Sequence, residues 1–308
     1  MNATEEPTLL RALPTDPSAA RTLRRQRAAG RLVRLRPGVY VRTSEWEALP
    51  PAARHRMLAR AIIPELRASD VFSHMTAAVL YGWPMLGAAP DRVHVIDLDA
   101  TSTTHREGLV RHAPQRAVPL ESTHRFCDIR VTSPMVTAVL VATTCVPSTA
   151  AVTIDHGVRS GTVDPAEFGR ALPPPPARGS RRARLVAAAL DARHESVGES
   201  YTAIRLVELG VGPLAPQHEF RLPDGSIRRV DFWIPSLGVV LEFDGRQKYV
   251  DPTMLAGRDG AQVLWQEKIR EDQLRALPQV RTVIRVTWWH LADPERLRTL
   301  FRQHGITI

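Results

Sequence analysis

Residues 229–245 read RVDFWIPSLGVVLEFDG, and this stretch decides the fold of the C-terminal half. Arg229-Val230-Asp231-Phe232-Trp233-Ile234 is rich in β-branched and aromatic side chains and predicts a strand. Leu237-Gly238 turns the chain into Val239-Val240-Leu241-Glu242-Phe243-Asp244-Gly245, an apolar strand that ends in carboxylates. Strand residues i and i+2 share a face, so Glu242 and Asp244 are expected to project together. If the Asp231 strand pairs alongside, three carboxylates converge. Such a cluster is costly unless a cation or a proton offsets it. A hard divalent ion such as Mg²⁺ takes oxygen ligands, acidifies a bound water and neutralises phosphodiester charge. The competing reading is a structural ion pair with Arg228 or Arg229, since acids within apolar strands are rarely left unpaired.

Outward from this stretch the pattern stays mixed α and β. Val197-Gly198-Glu199-Ser200 opens a helix that closes at Gly210. A strand at His218-Glu219-Phe220-Arg221-Leu222 and a turn at Asp224-Gly225 make a hairpin with the Asp231 strand. After the carboxylates come a helix over residues 261–277, a strand from Val283 to Trp288 and a last helix near Asp293-Pro294.

This order resembles the PD-(D/E)xK nuclease superfamily, and within it the very-short-patch-repair-like endonucleases. The string EFDGRQKY…LWQEKIREDQLRAL…VIRVTWWHL is similar to a branch common in actinobacteria. The resemblance implies a restriction-endonuclease-like α/β/α domain. It makes Glu199 the helix acid, and Asp231 and Glu242 the ligands of Mg²⁺ or Mn²⁺. Asp244 stands where the family usually has lysine. The only lysines of the chain, Lys248 and Lys268, both fall in this region. A compact ammonium suits a scissile phosphate or an attacking water. As plain surface residues, Lys248 would be solvated and Lys268 would pair with Asp272.

The chain has 308 residues, with 41 basic and 32 acidic side chains and a net charge of +9. No run of about 18 apolar residues predicts a membrane span. The acidic, proline-interrupted start lacks the pattern of a signal peptide, so a cytoplasmic location is expected. Cys127 and Cys145 are too few for a disulfide framework or a four-cysteine zinc site. His74, His94, His105 and His112 show no ligand-pair spacing, and ordinary hydrogen-bonded histidines are expected.

The positive charge is local. Residues 1–60 carry 12 arginines against 5 acids, and residues 178–193 carry 5 arginines against 1 acid. Asp16-Pro17-Ser18 starts a helix that stops at Gly30. RLVRL, Arg36-Pro37-Gly38 and VYV then read as strand, turn and strand, the recognition-helix-and-wing half of a winged helix. Arg21, Arg24 and Arg25 on the helix, with Arg34 and Arg36 on the wing, are the expected phosphate contacts. A solvated arginine-rich face is the bland alternative. Arginines 178–193 fit either DNA binding or an amphipathic docking helix.

GRLVRLRPGVYV, FSHMTAAVLYGWP, DRVHVID, GLVRHAP and IRVTSP resemble, in order, the AbiEi-type antitoxin family. That resemblance implies operator DNA and a cognate toxin as partners. After VTSP the family's arginine-threonine pair and following aspartate are missing, the chain reading MVTAVLVATTCV.

The expected architecture is a multidomain α/β (mixed α+β) chain. Residues 1–52 form a winged-helix-like segment and 53–172 an α/β unit. A proline-rich linker, extended by Pro173 to Pro176, spans 173–180, and 181–308 form the nuclease-like domain. Two functions are expected to compete. One is a Mg²⁺-dependent DNA endonuclease. The other is a DNA-binding regulator or antitoxin with an inactive nuclease fold. Neither involves a membrane.

Overall fold

The computed structural model describes residues 7–13, 15–115, 124–245 and 260–308, with side chains from 268 onward in the last segment. The chain is mixed α and β, in two compact units. One comprises Met1–Cys145 with Arg170–Ser180, the other Val146–Gly169 with Arg181–Ile308. The expected boundaries need correction in two ways. Residues 1–52 and the following α/β region belong to one unit, and residues 146–169 belong with the C-terminal one.

In the first unit the elements are β1 (Leu10–Arg11), α1 (Pro17–Ala28), β2 (Leu32–Arg36), β3 (Val39–Arg42), α2 (Thr43–Ala48) and α3 (Pro51–Ile62). There follow β4 (Asp70–Phe72), α4 (His74–Leu80), β5 (Val93–Asp97), β6 (Thr104–Arg106), β7 (Leu109–His112), β8 (His124–Phe126), β9 (Ile129–Val131) and α5 (Pro134–Thr144). Asp16 caps α1, accepting the Ala19 N–H at 2.9 Å, and Gly30 takes a positive φ just past its end. Helix, strand, turn and strand therefore form as read, with β1 added to give a β1-β3-β2 sheet.

The second sheet has the order β6-β7-β5-β4-β9-β8. Its core joins Ile62, Phe72, Val93, Val95, Leu109 and Val131. Asp70, at the start of β4, is fully satisfied inside it. It accepts from Arg111 at 3.0 Å and from the Arg67 N–H at 2.8 Å. Residues 173–180 are not an extended spacer. The Ala177 N–H bonds Pro174 O at 3.0 Å and the Ser180 N–H bonds Ala177 O at 3.1 Å, so the segment is a run of turns. Gly179 has a φ of +82°, and a Cβ there would collide with the Thr143 carbonyl. The fixed φ of proline suits a turn as well as an extended spacer.

The second unit contains α6 (Pro147–Arg159), α7 (Pro165–Ala171, which crosses the boundary), α8 (Ser180–Ala189), α9 (Val197–Glu208), β10 (Ala215–Arg221), β11 (Ile227–Ile234) and β12 (Val239–Phe243). It continues with α10 (Gly260–Arg275), β13 (Thr282–Val286), α11 (Trp288–Leu291) and α12 (Pro294–Gln303). The sheet order is β10-β11-β12-β13, with the first three strands antiparallel. β13 pairs parallel to β12, and α10 provides the crossover that a parallel pair requires. The last strand is shorter than read: it stops at Val286, and Thr287 caps α11 so that Trp288 is helical. α8 buries Ala183, Val186 and Ala189 on one side, as a docking helix does.

α6 joins this unit through a buried polar anchor. Asp155 accepts from Ser200 Oγ at 2.5 Å, from the Asp191 N–H at 3.0 Å and pairs with His194 Nδ1 at 2.7 Å. The serine is bound to the acid and not to the imidazole, so this is a structural network and no catalytic triad. Asp155→Ala would leave three buried groups without their partner. We expect a loss of roughly 3 kcal/mol in unfolding free energy. Urea denaturation checks this, and a loss below roughly 1 kcal/mol would show the anchor to be dispensable.

Candidate active site

The β11–β12 register pairs Phe232 with Leu241, Trp233 with Val240 and Ile234 with Val239. One step further along the same ladder sets Asp231 beside Glu242. Both belong to the strand faces that carry Trp233 and Val240, which pack with Leu274 of α10 and with Leu277 just past its end. Arg270 lies one turn before Leu274 on that helix. The apolar contact therefore ends where the carboxylates begin, and Arg270 meets Glu242 Oε1 at 3.2 Å. The same guanidinium donates to Arg229 O at 2.6 Å. Asp231 Oδ2 accepts the Phe243 N–H at 2.7 Å. An open cleft lined by Glu195, Gln217, Arg229, Asp231, Glu242 and Arg270 surrounds the pair.

Burial, and then the charge of Asp231, push the Glu242 carboxyl up to about 7, against the pull of Arg270 and Arg285. Asp231 is also raised, first by burial and then by Glu199 and Glu195, while the Phe243 N–H opposes. Both carboxyls are thus raised even though arginines line the cleft, because burial outweighs the cations.

Glu199 stands differently from its expected role. Ser196 caps α9, and its hydroxyl donates to Glu199 Oε1 at 2.7 Å. Glu199 Oε2 accepts from the Glu195 N–H at 3.0 Å and from Gln217 Nε2 at 2.7 Å. Both oxygens are engaged, by Ser196, the Glu195 N–H and Gln217, so Glu199 acts on Asp231 through its charge. Gln217 lies between the pairs Pro216–Phe232 and His218–Val230, which sets it opposite Asp231. Its φ is +52°, a strained value for a residue with a Cβ. Gly198 permits the close approach of α9 to β12, since a Cβ there would overlap the Phe243 ring.

Asp244 extends the ladder one residue beyond β12, its N–H donating to Val286 O at 2.7 Å. It lines a second pocket with Glu242, Arg270, Glu271 and Arg285. Lys268 is exposed, and it sits about 200° around α10 from Arg270, facing away from the carboxylates. Lys248 lies outside the described residues. The competing ion pairs do not form either: Arg229 pairs with Glu195 at 2.9 Å, and Arg228 donates to Gln273 at 3.0 Å. Among the described residues, no three carboxylates bring ligand atoms within 4.8 Å of one another; His74, His94 and His112 do. The expected convergence of three acids is therefore a convergence of two.

Gln217 and Arg270 escaped the sequence reading. The signal for Arg270 was its i, i+4 spacing from Leu274. The Ser196-x-x-Glu199 box was the signal that Glu199 is already committed.

In the first unit Arg21, Arg24 and Arg25 are exposed along α1. Arg34 is exposed and only loosely paired with Glu107 at 3.8 Å. Arg36 is a correction. It is buried, with its guanidinium on Glu65 at 2.7 and 2.6 Å and on Glu107 O at 2.8 Å, so its charge is spent inside the fold and not presented to a phosphate.

The raised Glu242 carboxyl has a consequence for stability. Between pH 4.5 and about 7 the folded chain keeps a proton that the unfolded chain has released. The contribution is complete below 4.5 and is lost as pH rises through about 7. Without divalent ions, we expect stability to fall by up to roughly 3 kcal/mol between pH 5 and pH 8 from this group. Glu242→Gln should flatten that slope in urea titrations, and an unchanged slope would refute the assignment.

Comparison with protein-family models, with curated proteins and with solved structures gave no match.

Proposed function

We propose that the chain is a divalent-metal-dependent DNA endonuclease. The observation that carries this reading is the pairing of Asp231 and Glu242 across adjacent strands, in one open cleft. The order α9-β10-β11-β12-α10-β13 supports a restriction-endonuclease-like reading of the second unit. It matches the expected sequence of helix acid, strand Asp and strand Glu.

The donor set suits Mg²⁺ or Mn²⁺: two half-buried carboxylates, with room in the cleft for several waters. When bound, such an ion would neutralise phosphodiester charge and acidify a water. Asp231 and Glu242 would hold it. The Phe243 N–H fixes Asp231 Oδ2, and Gln217, tied to Glu199, walls the cleft opposite Asp231. Arg270 supplies the cation where lysine was expected. Its planar guanidinium can take two phosphate oxygens at once. The water oxygen bonds to phosphorus, the P–O3′ bond breaks and the 3′-oxygen takes up a proton. The products are a 5′-phosphate and a 3′-hydroxyl.

In this reading the exposed arginines of α1 hold the DNA backbone in the first unit, and that surface equally suits a winged-helix operator contact. The second reading, a DNA-binding regulator or antitoxin with a silent nuclease fold and a toxin partner, is favoured by Asp244 in the usual lysine position.

Plasmid nicking with Mg²⁺ or Mn²⁺ separates the two. Asp231→Asn and Glu242→Gln are each expected to abolish cleavage. Arg270→Ala should slow it by roughly 10²-fold, the usual cost of one charge-stabilising donor. Lys268→Ala should leave it within about twofold, as expected for an exposed residue. Cleavage that survives Asp231→Asn would end the site assignment. DNA binding is checked by salt titration. Arg24→Ala with Arg25→Ala should reduce the slope of log K against log salt by about 0.9 per lost contact. Binding without any cleavage would favour the regulator.

A further inference from the structure

His74, His94 and His112 come together in the first unit, although 18 residues separate His94 from His112 and no sequence motif links them. The sheet assembles them. β5 and β7 run parallel with His94 opposite Val110 and Ile96 opposite His112, so the two histidines share a face. β4 lies on the other side of β5, and the chain leaves it through Ser73, whose N–H donates to His94 O at 3.1 Å. His74 follows at once, with a φ of +53° that turns it back onto the other two. His94 Nδ1 and His112 Nε2 are 2.9 Å apart, and the His74 ring lies over His112 with centroids 3.9 Å apart. One ring nitrogen from each residue falls within 4.8 Å of the others.

A further observation points to a ligand. The side chain of His74 is buried, Ser73 Oγ holds its Nδ1 at 2.9 Å, and its Nε2 has no partner at all. Among the described residues His194 Nε2 is buried without a partner as well, but it belongs to no group of three ligand atoms, whereas His74 does. His55, a buried histidine of the same unit, has both nitrogens engaged. It uses both nitrogens, on Pro90 O and on Thr76 Oγ1, at 2.9 Å each. A buried ring nitrogen without a partner calls for an explanation.

We propose that His74, His94 and His112 bind a divalent transition metal ion of the Zn²⁺ class, with a solvent molecule completing the site. Three imidazoles and no carboxylate select Zn²⁺, Co²⁺ or Ni²⁺ over Mg²⁺ and Ca²⁺. Zinc–nitrogen bonds of about 2.0–2.1 Å require the His94 and His112 nitrogens to separate by only a few tenths of an ångström. If His74 ligates through Nε2, its Nδ1 carries the proton and Ser73 Oγ accepts it, an orienting bond typical of metal-bound histidine. This site is independent of the carboxylates of the nuclease reading.

The test uses the full chain, stripped with EDTA and titrated with Co²⁺ and then Zn²⁺. The background is Asp231→Asn with Glu242→Gln, so that the carboxylate cleft is silent. We expect one tightly held equivalent, a Co²⁺ visible spectrum displaced by Zn²⁺, and shifts of three imidazole ¹⁵N resonances. His94→Ala and His112→Ala should each weaken binding by more than the roughly 100-fold that loss of an outer hydrogen-bond partner costs. The resonance shifts need no histidine variant, so they decide the matter even if a variant misfolds. No retained Zn²⁺, or binding that ignores both substitutions, would overturn the proposal.

Discussion

The antiparallel register of β11 against β12 is the constraint on which the second unit turns. Hydrogen bonding fixes Phe232 against Leu241, and the next step of that ladder leaves two carboxylates no choice of neighbour. A one-residue slip would move every side chain to the other face and bury the acids on the side that now holds Phe232 and Leu241. The apolar pairs therefore position the acids, and their burial covers the cost of holding like charges together. The surroundings answer that cost in part. One guanidinium reaches Glu242, one backbone N–H reaches Asp231, and Glu242 still holds its proton to about pH 7. A second guanidinium, Arg285, acts on Glu242 only through space, and no ion pair is made to Asp231 among the described residues. Instead the nearby Arg229 is spent on Glu195.

The same reasoning explains which parts of the fold were legible. Strands β11 to β13 announce themselves through short apolar runs rich in β-branched and aromatic residues, with turns at Gly225 and Gly238, and α10 through the helical segment from Ala261 to Leu277. Asp231 and Glu242 stood out because acids interrupt those runs. The rest depended on facts that pattern does not carry. Whether Lys268 or Arg270 faces the sheet is a matter of helical phase, and it was settled by the burial of Leu274, one turn from Arg270. Glu199 looked free to act because its capping partners lie in the backbone and in Gln217, a strand away. The proline run was read for its stiffness, whereas the close approach of Gly179 to Thr143 decided its shape.

Arginine shows how little composition says by itself. Arg24, Arg36 and Arg111 are chemically identical, yet Arg24 is solvated along α1, Arg36 is locked on Glu65, and Arg111 is sealed against Asp70. A guanidinium is buried only where a carboxylate and a carbonyl take its donors together, as Glu65 and the Glu107 carbonyl do for Arg36. Where no acid faces the strand or helix, the charge remains available to an anionic partner. The basic character of the N-terminal sixty residues is therefore smaller than its count, and it is concentrated on one helix.

The histidines make the complementary point about polar groups in cores. An imidazole has two nitrogens of opposite need, and a fold that buries it must supply one donor and one acceptor. His55 receives both. His74 receives one, at a backbone conformation that costs energy, and in contact with two more imidazoles that have the same requirement. A third neutral ring cannot satisfy the other two in turn, because each shared proton leaves another lone pair unmatched. His94 and His112 can share one proton, which leaves His74 Nε2 as the unmatched nitrogen; a single cation would take one lone pair from each ring, and a hard oxygen-seeking ion would gain least from it.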